Sequence, residues 1–120
     1  MVNVTEKVKK YIGLCMAAGG VKVGFDLVLG EVRSSRAKFL LIANDASERT
    51  VKQLTDKCKF YGVKYYRTEY SGVEIADMLG KRAVCAAALF NGKGPWKNVL
   101  EHFEGSNAQD SALIEDRKDD

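Results

Sequence analysis

Ala37-Lys-Phe-Leu-Leu-Ile-Ala-Asn-Asp-Ala-Ser-Glu-Arg-Thr50 is the stretch on which the fold turns. Its first half is a continuous apolar run, Phe39 to Ala43, bounded by Lys38 and Asn44. A strand covered on one face alternates apolar and polar residues, whereas an unbroken run marks a strand covered on both. Its second half changes period. Asp45 and Ser47 suit a helix N-cap, and Asp45 with Glu48 has capping-box spacing. The following helix would bury Val51, Leu54 and Cys58 and expose Arg49, Lys52, Asp56 and Lys59. Gly62 then stands where a left-handed residue closes a helix. A doubly covered strand feeding an amphipathic helix implies a sheet with helices on both sides.

The same alternation extends outward in both directions. Upstream, Val4, Val8, Ile12 and Cys15 recur at helical spacing, with Asn3 or Thr5 as cap and Gly19-Gly20 as stop. Val21 to Val23 reads as a short strand. Gly24 then opens a helix whose Phe25, Val28, Leu29 and Val32 share one buried face. Downstream, Val63 to Thr68 reads as a tyrosine-rich strand, Gly72 to Leu79 as a short helix ended by Gly80, and Ala83 to Phe90 as a strand. Asn91 to Gly94 is a turn, Pro95 suits the first helical position, and Trp96, Val99, Leu100 and Phe103 define a last helix. The expected fold is an α/β three-layer α/β/α sandwich around a small mixed sheet of about four strands. Residues 1–104 form the domain, and 105–120 an acidic disordered tail.

At 120 residues the chain fits one domain and has length enough for a real core. No apolar run reaches the roughly 18 residues of a membrane span, and the charged first ten residues lack the apolar region of a secretory signal. The expected location is the cytoplasm. Cys15, Cys58 and Cys85 lie far apart within apolar patterns, as buried free thiols do. The net charge of +3 conceals an asymmetry: residues 105–120 carry −3 and residues 1–104 carry +6. A basic body is compatible with nucleic acid.

Catalytic and cofactor patterns are missing. His102 is the single histidine, and no nucleophile is signposted beside it. There is no metal-ligand cluster. Gly80-Lys81 is followed by Arg82 and preceded at the required spacing by Ile75, so it is no phosphate loop. Gly92 and Gly94 supply two glycines of a dinucleotide fingerprint, but Lys97 occupies the third position. No enzyme and no cofactor are expected.

Two loops remain. Lys22-Val-Gly-Phe-Asp26 runs into a helix N-terminus, whose free N–H groups and dipole suit a phosphate, with Gly24 allowing close approach. A plain tight turn with a solvated Lys22 explains the same residues. Gly80-Lys-Arg-Ala83 places two adjacent cations on a glycine-started loop, fit for the phosphates or splayed bases of an RNA loop. Lys81 and Arg82 would equally complement the preceding helix dipole. Tyr61, Tyr65, Tyr66 and Tyr70 offer stacking surfaces, although alternation sends Tyr65 and Tyr66 to opposite faces, where packing is the simpler role.

At this point a resemblance enters. Tyr11 to Gly24, Ala37 to Thr50, Asp56 to Val63 and Ile75 to Val84 resemble, in order, segments of the bacterial YlxQ-type branch of the kink-turn-binding ribosomal protein superfamily. The likeness covers about residues 8–93. It implies an α/β/α sandwich that binds kinked RNA through two regions. Of the superfamily's Gly-x-Asn-Glu-x-x-Lys motif, Gly24 is kept, while Asp26, Leu27 and Gly30 replace the polar residues. In the second motif Gly80 is kept and Ala76 replaces the earlier glycine. The expected RNA-binding set is Lys22, Gly24, Phe25, Asp26, Gly80, Lys81, Arg82 and Ala83. The expected partner is ribosomal or other structured RNA, with ribosome association as the implied setting. The alternative is a protein-interaction adaptor that has lost kink-turn readout.

Overall fold

The computed structural model describes residues 6–34 and 36–106. The elements run α1 (Glu6–Ala17), β1 (Val21–Val23), α2 (Phe25–Arg33), β2 (Phe39–Ile42), α3 (Glu48–Tyr61), β3 (Lys64–Arg67), α4 (Gly72–Met78), β4 (Ala87–Phe90) and α5 (Trp96–Ser106). The four strands form one mixed sheet in the order β1-β4-β2-β3. β4 is antiparallel to β1 and β2, and β2 is parallel to β3. Helices lie on both faces, as the double-faced run at Phe39 requires.

Strand alternation builds two cores. Phe39 and Leu41 of β2, Tyr66 of β3, and Ala88 and Phe90 of β4 face α1, α4 and α5. Leu40 and Ile42, Tyr65, and Ala87 and Leu89 face α2 and α3. Phe39 and Phe90 stack at 4.6 Å across the β2–β4 register. Tyr65, Tyr66 and Tyr70 are buried, so their rings serve packing, and only Tyr61 of the four is exposed. Cys15, Cys58 and Cys85 are buried free thiols. Burial pushes the Cys58 thiol up to about 12, because a thiolate loses its hydration there.

Several boundaries differ from the sequence reading. The last strand begins at Ala87, not Ala83. Cys85 N–H is taken by Gly72 O at 3.1 Å, which ties the segment before Ala86 to the start of α4 instead of the sheet ladder. Asp45 does not cap α3. Ser47 does, accepting from Thr50 N–H, while the Asp45 carboxylate accepts from Gly72 N–H at 2.9 Å. The capping box stands instead at Ser71 and Glu74 of α4, a Ser-x-x-Glu spacing visible in the sequence. Phe25 is not on the buried face of α2: Val28 and Val32 are buried and Phe25 is exposed. Pro95 immediately precedes α5, and α5 continues to Ser106, past the expected domain edge at 104. Val4, the cap at Asn3 or Thr5 and the acidic tail beyond 106 lie outside the described residues.

Candidate nucleic-acid interface

The two loops singled out in the sequence meet. Because β1 and β4 are antiparallel, with Val23 opposite Ala88, the end of β1 lies beside the start of β4. An open groove of about 690 Å³ forms there. One lip is Val23, Gly24 and Phe25. The other is Lys81 with residues 83–87. The floor comes from α3, through Arg49, Thr50, Gln53 and Leu54. No lining residue is acidic, and Lys81 and Arg49 supply the positive charge.

Local geometry fixes each lip. Gly24 is the N-cap of α2 at φ 102°, a left-handed value that a side chain would strain, and no side chain caps the helix. The first-turn N–H groups are left without a side-chain acceptor, and the positive end of the helix dipole lies at the groove mouth. On the second lip α4 closes with a Schellman motif. Gly80 takes φ 71°, its N–H donates to Asp77 O, and Lys81 N–H donates to Ala76 O at 2.8 Å. This reversal turns Lys81 and Arg82 out to solvent. Residues 83–86 are then pinned by Cys85 N–H to Gly72 O, and by Ala43 N–H to Ala86 O at 2.8 Å.

Of the expected residues, Gly24, Phe25, Lys81 and Ala83 line this groove. Lys22, Asp26, Gly80 and Arg82 do not. Lys22 is half-buried on β1 opposite Leu89, while Val21 and Val23 pack toward the other face. Asp26, Gly80 and Arg82 are exposed. Sequence reading missed the floor residues Arg49, which it placed on a solvated helix face, and Thr50 and Gln53, to which it gave no role, together with Val84, which it placed in a strand. Val84 is 66% exposed and Leu27 is 61% exposed, so both flanks of the groove also carry apolar side chains. Phe25 and Val84 both line the groove and both are exposed, so its rim carries apolar surface of the kind contact sites use.

The single histidine stands elsewhere. Burial lowers the His102 pKa, partly offset by the charge of Glu69. Among the described residues no group of histidine, cysteine, aspartate or glutamate is arranged to hold a metal. Among them too, no helix is long and apolar enough to cross a membrane.

An α/β/α sandwich with a cation-bearing groove at the strand ends defines the class. The profile of the Ribosomal protein L7Ae/L30e/S12e/Gadd45 family matches residues 6–98, and the chain belongs to that family as a YlxQ-type member. It is 37% identical over 100 residues to the RNA-binding protein YlxQ of Enterococcus faecium, across 83% of this chain and 94% of that one. It is 41% identical over 78 residues to the protein of the same name from Bacillus subtilis (strain 168), across 65% of this chain and 77% of that one. Two solved structures share the fold at 20% identity and a TM-score of 0.65. One is a Bacillus halodurans protein of unknown function, covering 92% of this chain and 99% of its own. The other is the Giardia lamblia 15.5kD RNA binding protein, covering 88% and 91%.

Proposed function

We propose that the chain binds structured RNA in this groove, as a cytoplasmic ribonucleoprotein component without catalytic chemistry of its own. The observation that carries the reading is that two loops over fifty residues apart in sequence open on one concave surface bearing Lys81 and Arg49 and no carboxylate. Phosphates would lie against these cations and the open first turn of α2. Lys22 and Arg82, outside the groove, would add charge at its approaches. Phe25 and Val84 would meet an unstacked base, as side chains do in RNA loops and bulges. Kink-turn-like RNA is the first candidate ligand and ribosomal RNA the wider class.

The test is a binding titration against a kink-turn RNA, a bulged helix and total ribosomal RNA at several salt concentrations. Lys81→Ala with Arg82→Ala is expected to weaken binding and flatten the salt dependence by about 1.5 in log–log slope. An unchanged affinity and slope would remove the groove as the RNA site.

One observation favours a second reading. Leu27 is exposed where the superfamily motif has a glutamate, and Gly30 stands where it has a lysine. A protein partner docking on Leu27, Phe25 and Val84 would explain that apolar replacement. Leu27→Glu separates the two: it leaves RNA affinity intact or improves it if RNA is the ligand, and abolishes a protein contact.

A further inference from the structure

We infer that the turn between β4 and α5 forms a second contact for an RNA phosphate backbone, at the other end of β4 from the groove. The Asn91–Gly94 turn, discarded as a nucleotide fingerprint, is rigidly built. Asn91 N–H donates to Gly20 O at 2.9 Å, and Asn91 Nδ2 donates to Gly19 O at 3.3 Å. A Cβ on Gly20 would collide with the carbonyl oxygen of Lys93, and one on Gly94 would lie 2.8 Å from Cys15 Cα. Backbone therefore packs on backbone there, and Lys93 is presented from a fixed support. Gly92, at φ 102°, leaves room for the stem of Lys38, which a Cβ would meet at 3.0 Å.

Two lysines flank one ring beside this turn. Lys38 Nζ lies 5.6 Å and Lys97 Nζ 5.7 Å from the centre of the Trp96 indole. The two ammonium groups are thus at most about 11 Å apart, close enough to meet neighbouring phosphates of one strand. Lys38, Lys93 and Lys97 have no carboxylate partner among the described residues, and Glu101, one turn beyond Lys97, forms no ion pair with it. Trp96 is half-buried, its inner side on Phe39 at 6.5 Å. Unpaired cations beside a partly exposed indole suit a phosphate chain with a base at the ring. The site extends the RNA reading above, and it lies beyond Phe90 whereas the groove begins at Ala87, about 10 Å away along the strand.

Trp96 is the single tryptophan, so its emission reports this site and not the groove. The experiment titrates a fluorescein-labelled bulged hairpin RNA into the full chain, following RNA anisotropy and Trp96 emission together. Wild type, and the Lys81→Ala/Arg82→Ala variant at low salt, are expected to show a change in Trp96 emission. Lys93→Gln with Lys97→Gln should suppress that change and flatten the salt slope by about 1.5. RNA bound by anisotropy with unmoved Trp96 emission overturns the second contact and leaves the groove standing. No RNA bound by wild type overturns both. Polyglutamate shifting the emission as strongly as RNA assigns the lysines to acidic protein segments and overturns the RNA assignment.

Discussion

The two lips of the groove solve the problem of meeting an anion differently. The Gly24 lip offers backbone: a helix start without a side-chain cap, flanked by exposed Phe25, Asp26 and Leu27. The Gly80 lip offers side chains: a left-handed reversal that projects Lys81 and Arg82. The difference teaches that full positive charge is concentrated on one lip, while the other supplies the partial charge of a helix start, N–H donation and apolar contact. A site built this way should depend strongly on salt through one loop and hardly at all through the other.

The largest break in that asymmetry is charge reversal. Lys81→Glu with Arg82→Glu is expected to lower RNA affinity by roughly a hundredfold or more at low salt. Asp26→Asn on the opposite lip should change it by only a few-fold, both read by anisotropy. Gly72→Ala should come next. A Cβ there would lie 2.5 Å from Val84 Cγ1 and 3.3 Å from Cys85 O, so overpacking costs about 1–3 kcal/mol. Amide shifts should move at 83–86 and stay fixed at 24–27.

Two glycines sharpen the contrast further. Gly80→Ala forces a side chain into left-handed backbone and should cost about 1–2 kcal/mol in urea unfolding. Gly30→Ala on α2, where an added Cβ meets nothing, should instead gain roughly 0.5–1 kcal/mol. The smallest effect lies away from both lips. Burial depresses the His102 pKa below its ordinary 6.5, so the unfolded chain takes up a proton more readily. Stability present above pH 6.5 should fall as acid brings the pH down through the folded value. The fall should shrink in His102→Gln, measured as urea midpoints across that range.

Much of the architecture was legible because it is written in periods. Phe39 to Ile42 declared two covered faces, and Val28 with Val32 and Leu54 with Cys58 declared the helices that cover one of them. What periodicity could not reveal were contacts between distant segments. Ala83 to Ala86 looks like strand because its residues are small and apolar, yet Gly72 O claims Cys85 N–H and bends it away. Asp45 looks like a cap because of its neighbours, yet its carboxylate serves Gly72. The loops of the candidate site were legible as glycine-plus-cation strings. Its floor was not, since Arg49 and Gln53 differ in no local way from other polar positions on α3.

The sheet is finished off by its outermost strands. β1 has three residues, and β3 carries Lys64 and Arg67 at its two ends, with Lys64 held to Glu104 at 3.4 Å. Such borders are poor templates for another chain, because a short or charged margin resists strand addition. This design steers the molecule away from polymerising edge to edge.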